Sequence, residues 1–453
     1  MRKILVIGGG IAGLTVAYDL GRRGLEVLVL EEQQRLGGLI STFARDGFLM
    51  DGGPDAFLRA KPHARALCEE LGLGSELIPT NPDRRRVYVL HRGSLHALPG
   101  GFRLTVPTRL LPFLGTSLFS FRGKLRMLGE PFIPARRTEA EESVASFVRR
   151  RFGKEALERV GEPLLAGIHC GYAAKLSMDL LFPNLVALER KHGSLTRGMA
   201  AEGVSGEETV FLSLAGGMGR LVERLAQEVR GEIRLAQPVV EIRRRCQGFE
   251  STLASGEKVA SSAVVLALPL RVSEKLLQTL APRAASELSR IETVSTAVVF
   301  HAFRRENVRH PLDGYGFVVP ESEPNRLLAA TFVSTKFPFR APDTDVLLRA
   351  FLGGRRDRKI LDSSDADLEA LSLHELERVL GPLGAPKFSR VVRWADRTPQ
   401  IELGHASRIA AFERALEDVP GLFVLGSGLR GVGIPDSVAA ARGLARKLAE
   451  LQA

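Results

Sequence analysis

The chain has 453 residues, 45% apolar and 25% charged, which supports a large core and excludes a disordered polymer. Its net charge of +11 favours acidic partners, yet no zinc-finger spacing and no Lys/Arg tract interleaved with aromatics is present, so no nucleic acid is expected as partner. Cys68, Cys170 and Cys246 are far apart with no CxxC pair, which excludes a disulfide framework and a structural metal and leads us to expect a reducing, cytoplasmic setting.

In chain order, Arg2 and Lys3 precede the apolar run Ile4–Ile7, which breaks at Gly8 and is too short for a signal segment. The run reads as a buried parallel strand. Gly8-Gly9-Gly10-Ile11-Ala12-Gly13 follows, then a helix pattern on Leu14, Val16, Ala17 and Leu20 that ends at Arg22-Arg23-Gly24. Val27–Leu30 is a second strand with Glu31 at its end, completing a βαβ unit.

Helical patterning resumes at Pro62–Leu71. From Arg84 to Arg137 basic residues crowd the chain, Glu130 is the one acid, and Leu110, Leu111, Phe113, Leu114, Leu118 and Phe119 read as exposed apolar positions. Glu139–Gly153 and Leu157–Leu165 read as helices, and Phe182–Leu195 as a mixed connector. A helix begins near Gly216-Gly217-Met218. Strands are expected at Val239–Arg243, Ala263–Leu268, Ser295–Phe303, Gly316–Val319, Leu327–Val333 and Val346–Leu352, with a helix over Asp365–Leu380. Gly421–Leu425 is a last buried strand before a glycine-rich turn and a helix over Ser437–Leu451. No stretch of about 18 uncharged apolar residues appears, so no membrane-spanning helix is expected.

GxGxxG falls on Gly8, Gly10 and Gly13. The first glycine permits the tight turn, the second lets backbone approach a diphosphate, and the third lets helix and strand pack closely. Glu31 is placed to accept both ribose hydroxyls. Arg35, Gly37 and Gly38, then the Asp51-Gly52-Gly53-Pro54 turn, extend the fingerprint in the manner of FAD enzymes, so FAD is the expected cofactor. Gly426 to Asp436, between the last strand and helix, would aim helix N-terminal amides at the same cofactor through Gly426, Gly433 and Ile434. Asp436 has two open roles, bonding a ribityl hydroxyl or capping its own helix.

Taken together, these residues resemble the protoporphyrinogen/coproporphyrinogen oxidase family of amine-oxidase-like flavoproteins. The resemblance spans nearly the whole chain. It rests on the N-terminal unit, Val87–Pro99 ("VYVLHRGSLHALP"), Gly167–Ser177 ("GIHCGYAAKLS"), Phe182–Leu195, Ser334–Pro342 ("STKFPFRAP"), Phe351–Asp357 ("FLGGRRD"), Pro399-Gln400 with Gly404-His405, and Gly431–Asp436 ("GVGIPD").

The resemblance implies an α/β fold: a discontinuous Rossmann-like FAD domain (1–80, 210–270 and 415–453), a helical, basic substrate and membrane-docking domain (81–209), and an inserted mixed-sheet substrate domain (271–414). It implies six-electron oxidation of a porphyrinogen, with O2 or another acceptor reoxidising the flavin. It also implies a peripheral position on the inner face of the membrane and hand-off of product to a ferrochelatase. Val239 and Trp394 correspond to FAD-contacting positions. Arg86 corresponds to a propionate anchor, with Arg85 one residue away as the alternative. Tyr315 and Val318 correspond to ring-contacting positions, and Gly167–Gly171 to a backbone stretch beside the substrate.

The sequence departs from the family pattern at His169 and Cys170, which replace an aromatic and Ala, at Ile401, which replaces an aromatic, and at Ser437, which replaces Cys. His169 is then either a local acid–base or propionate partner or a packing residue. The Gly-Ile-Pro-Asp ending favours coproporphyrinogen as substrate, and the basic Leu/Phe segment favours protoporphyrinogen. An amine oxidase or polyene desaturase of the same superfamily stays open as an alternative. So does a non-catalytic FAD- or tetrapyrrole-binding module.

Overall fold

A computed structural model describes residues 3–103, 105–203 and 210–452. Arg2 of the basic start and 204–209, at the end of the expected helical region, lie outside the described residues.

Five parallel strands form the first sheet, in the order Glu232–Arg234, Val27–Leu30, Ile4–Ile7, Ala263–Ala267, Leu422–Leu425. Four of these runs are apolar throughout because helices cover both faces, while the edge strand Glu232–Arg234 carries two charged residues. Leu5, Ile7, Leu28 and Leu30 pack toward the helices Leu270–Leu280, Pro282–Ser289 and His405–Leu416. Ile4, Val6, Val27 and Val29 pack toward the first helix, Ile11–Arg22, and the last, Ile434–Gln452. Segments from the two ends and the middle of the chain therefore build one sheet.

The second sheet has seven strands in the order Phe388–Pro399, Thr293–Arg304, Asp345–Gly353, Ala329–Phe332, Gly314–Val318, Arg86–His91, Ser94–Ala97. Its neighbours are antiparallel except Gly314–Val318 with Arg86–His91. Residues 86–97 thus pair into the mixed sheet, although the sequence groups them with the helical region; alternation over Val87–His91 is what lets them extend it. One face packs on the helix Asp365–Leu380. The other presents Val89, Val318 and Ala329 to the helical region.

Within that region the Phe182–Leu195 connector is mostly a helix, Pro183–His192, with Pro at its first position and Gly193 at φ +70 just past its end. Proline costs nothing where the N–H is unpaired, and glycine relieves the left-handed exit. Phe113, Leu118 and Phe119 are buried rather than exposed, because Phe102 stacks among them. Glu130 is buried: it pairs with Arg151 and accepts from the Ser194 hydroxyl at 2.6 Å and the Leu195 N–H at 2.9 Å. Burial pushes its carboxyl upward, but Ser194 and Arg151 outweigh that and hold it below the usual range. No helix among the described residues is long and apolar enough to cross a membrane.

Candidate cofactor and substrate site

The first helix starts at Gly10 without a side-chain cap, so its first-turn N–H groups are free to meet an anion. A β-carbon on Gly10 would meet nothing within 4 Å, so the space beside it is open. A β-carbon on Gly13 would stand 2.0 Å from the Gly8 carbonyl oxygen, and one on Gly8, at φ +110, would stand 2.4 Å from the Ala267 oxygen. The first and third glycines therefore serve packing, whereas the second leaves space in which a ligand would fit. Gly37 bridges Gly10 as a parallel partner, with Gly38 beside it. Arg35 is folded onto this turn, donating to the Gly38 carbonyl at 2.8 Å. Glu31, buried at the end of its strand, accepts from Gly9 N–H at 2.6 Å and Gln33 N–H at 2.9 Å. The segment entering Val239 runs alongside, with Gln237 N–H donating to the Glu31 carbonyl.

The Gly52-Gly53-Pro54 turn is locked from the second sheet. Trp394 donates its indole N–H to the Gly52 carbonyl at 2.8 Å, and Arg349 donates to the Gly53 carbonyl at 2.6 Å. A β-carbon on Gly53 would stand 1.8 Å from the Leu39 oxygen. Flanking the turn, Asp51 pairs with Arg340 at 3.1 Å and Asp55 with Lys336 at 2.7 Å. Burial pushes Asp55 upward, but Lys336 and Arg349 pull it below the usual carboxylate range. Sequence reading missed Arg349, Lys336 and Asp55: each is an isolated charge in the chain, and only the fold gathers them. Ser41, next to the turn, has a buried hydroxyl with no partner among the described residues.

The C-terminal loop closes the other side. Ile434 and Val438 share one apolar cluster with Ile11 and Leu14, so the last and first helices begin side by side. A β-carbon on Gly426 would stand 2.9 Å from the Leu268 oxygen. Asp436 accepts from Gly433 N–H at 3.2 Å, capping its own helix, and pairs with Lys61.

The residues assigned to substrate come together in part. Gly167, in the last turn of the helix Glu162–His169, faces Val318 and Ala329; a β-carbon there would lie 3.7 Å from each. His169, two residues on, stacks edge-on with Phe182, and burial followed by nearby Lys61 lowers its imidazole to about 4. Cys170 adopts a left-handed conformation at φ +54, and burial pushes its thiol up to about 12. Tyr315 donates its hydroxyl to the Asn81 carbonyl at 2.8 Å and accepts from the Thr80 hydroxyl at 2.9 Å. Arg86 is largely exposed and pairs with Asp313 at 2.5 Å, which also accepts from the Tyr88 hydroxyl.

These parts fit a dinucleotide-type cofactor: an open helix N-terminus for its diphosphate, a buried carboxylate for its ribose, and an unpartnered hydroxyl beside the middle turn. Fold and cradle define a flavoprotein class. The model of the family described as flavin containing amine oxidoreductase matches residues 11–449. The coproporphyrinogen III oxidase of Bacillus subtilis is 32% identical, with 96% of each chain covered. The mitochondrial protoporphyrinogen oxidase of Nicotiana tabacum is 27% identical over 96% of this chain and 92% of its own. An Exiguobacterium sp. 255-15 crystal structure, provisionally named a protoporphyrinogen oxidase, superposes with a TM-score of 0.91 at 33% identity, covering 99% of each chain. The chain belongs to the flavin-containing amine oxidoreductases, in their coproporphyrinogen/protoporphyrinogen oxidase branch, and its cofactor is FAD.

Proposed function

We propose that the chain oxidises coproporphyrinogen III to the porphyrin in haem biosynthesis, with O2 as the electron acceptor. The observation that carries this reading is that, of four bacterial coproporphyrinogen III oxidases matched over nearly the whole chain, three are 31–32% identical and one 28%, against 26–29% for the plant protoporphyrinogen oxidases. FAD supplies the electron sink that a six-electron oxidation requires, so the protein needs no acid–base triad. Its residues hold and orient. Gly167, Val318 and Ala329 supply an apolar wall suited to a flat macrocycle. His169 stays neutral near pH 7 and serves as a hydrogen-bond partner, not a charge. Arg86 takes a propionate by exchanging it for Asp313, and the net charge of +11 favours a substrate with four carboxylates.

The test is to mix the anaerobic holoprotein with coproporphyrinogen III and with protoporphyrinogen IX and follow flavin bleaching and porphyrin fluorescence. Faster bleaching by coproporphyrinogen III is expected. Faster bleaching by protoporphyrinogen IX would reverse the substrate assignment, and none with either would leave only a binding module.

The protein also works at the cytoplasmic face of a membrane, from which product passes to a ferrochelatase. Leu111, Phe121 and Phe132 are 82%, 81% and 83% exposed, with Arg109 and Arg122 exposed beside them. Lys124 ties the helix Phe121–Leu128 to the helix Leu110–Gly115 through the Leu114 carbonyl at 2.7 Å. Apolar side chains ringed by cations suit an anionic interface. Salt-sensitive binding to anionic liposomes is expected, and indifference to them would remove this part of the reading.

A further inference from the structure

The short segment Pro399–His405 touches both halves of the site. At one end, Gln400, fully buried, donates its side-chain N–H to the His169 carbonyl at 2.9 Å. Its own backbone N–H is held by the Glu292 carbonyl at 2.8 Å. Ser177 N–H donates to the Ile401 carbonyl at 2.8 Å, Leu403 N–H donates to the Lys175 carbonyl at 2.9 Å, and Glu402 pairs with Arg355. Arg355 in turn donates its backbone N–H to the Cys170 carbonyl. The 169–177 turn beside the apolar wall thus hangs on this strap.

At the other end the strap holds the C-terminal loop. His405, 3% exposed, lies with Nε2 at 2.7 Å from the Gly428 carbonyl oxygen. A carbonyl only accepts, so Nε2 carries the proton and donates; Nδ1 has no partner among the described residues. Pro399 presses on the same residue: a β-carbon on Gly428, which sits at φ +93, would stand 2.5 Å from the proline. Gly428 N–H closes the loop onto the Gly431 carbonyl at 2.8 Å, two residues before the helix N-terminus.

We propose that Gln400 and His405 are paired positioning residues. From opposite ends of one strap, Gln400 holds the substrate-side turn at His169–Gly171 and His405 holds the cofactor-side loop at Gly426–Gly433. The physical reason is that transfer between two bound partners depends steeply on their separation, and groups that touch the partners keep their place only if a supporting layer holds them. Neither side chain needs to meet the substrate. This inference rests on the porphyrinogen-oxidising reading given above.

The two ends predict opposite signatures. Gln400→Glu keeps the shape but replaces the donating amide with a carboxylate. It is expected to raise KM for the porphyrinogen about tenfold or more, because a buried carboxylate would face the His169 and Thr398 carbonyls that the amide now bonds, with FAD affinity and the flavin absorption envelope unchanged. His405→Ala is expected to shift the flavin absorption envelope and midpoint potential and to slow anaerobic flavin reduction by about ten- to a hundredfold, with KM little changed. His405→Gln, whose amide also donates, is expected to restore both, and it serves as the working variant if the alanine protein does not fold.

If both substitutions move KM and the flavin spectrum together, or if His405→Gln leaves the spectrum as altered as alanine does, the strap is only a structural tie and the proposal is overturned. Porphyrinogen that fails to bleach the wild-type flavin would instead overturn the underlying reading. The spectrum and potential of the flavin still test His405 in that case, because neither needs substrate.

Discussion

Lys61 and Asp436 are 375 residues apart in the chain, yet the lysine ammonium contacts both carboxylate oxygens, at 2.6 and 2.8 Å. The pair joins the start of the helix Pro62–Glu70 to the first turn of the last helix, where the C-terminal loop meets the cradle. Lys61 is half exposed, so Lys61→Met is expected to cost under about 1 kcal/mol of stability. Asp436→Ala also removes the acceptor for Gly433 N–H and is expected to cost about 1 kcal/mol more. Denaturant unfolding of the two variants measures the difference; equal losses would remove the capping role.

Gly10 and Gly13 should fail in different ways. Gly10 has φ −76, which any residue adopts, and open space beside it. Gly10→Ala is expected to leave the apoprotein's Tm unchanged while weakening FAD binding about tenfold or more. Gly13→Ala drives a methyl into the Gly8 carbonyl and is expected to cost about 3 kcal/mol before any ligand is added. Tm of the apoproteins and FAD titration, read together, separate the two.

Glu31→Ala removes a buried carboxylate that already holds Gly9 and Gln33 and has lone pairs left for ribose. FAD affinity is expected to fall about ten- to a hundredfold, as for a hydrogen bond to a charged group. Titration of apoprotein by flavin fluorescence quenching is the measurement, and undiminished affinity would end the ribose assignment.

Arg86→Ala is expected to raise KM for the porphyrinogen severalfold with FAD content unchanged. Steady-state kinetics on both porphyrinogens decides it. A KM equal to wild type would leave Arg86 with no role beyond its pair with Asp313.

His301 is buried between the Ser372 and Ser389 hydroxyls, each 2.7 Å from a ring nitrogen, and burial lowers its imidazole to about 4. The unfolded chain, with a histidine near 6.5, therefore binds the proton first. Its contribution to stability is whole above pH 6.5 and declines as pH falls from 6.5 toward 4, by about 2 kcal/mol at pH 5. Denaturant unfolding at pH 7 and pH 5 is expected to show this slope in the wild type and a shallower one in His301→Gln. His169 adds a loss of the same sign.

What the sequence determined by itself is local and periodic. The Ile4–Ile7 and Val27–Leu30 runs, the glycine spacing and Glu31 name a nucleotide cradle, because strand, tight turn and helix start are contiguous there and each residue type has one physical use. The C-terminal glycine run was legible for the same reason. What the tertiary structure alone decided is everything that depends on long-range meeting. It put residues 86–97 into the mixed sheet and turned Phe113, Leu118 and Phe119 inward. It set Arg349 and Trp394 on the Gly52–Gly53 carbonyls and joined Gln400 and His405 to opposite sides of the site. A lone arginine or histidine carries no pattern along the chain, and its role follows from which backbone carbonyl or carboxylate the fold brings within hydrogen-bond reach.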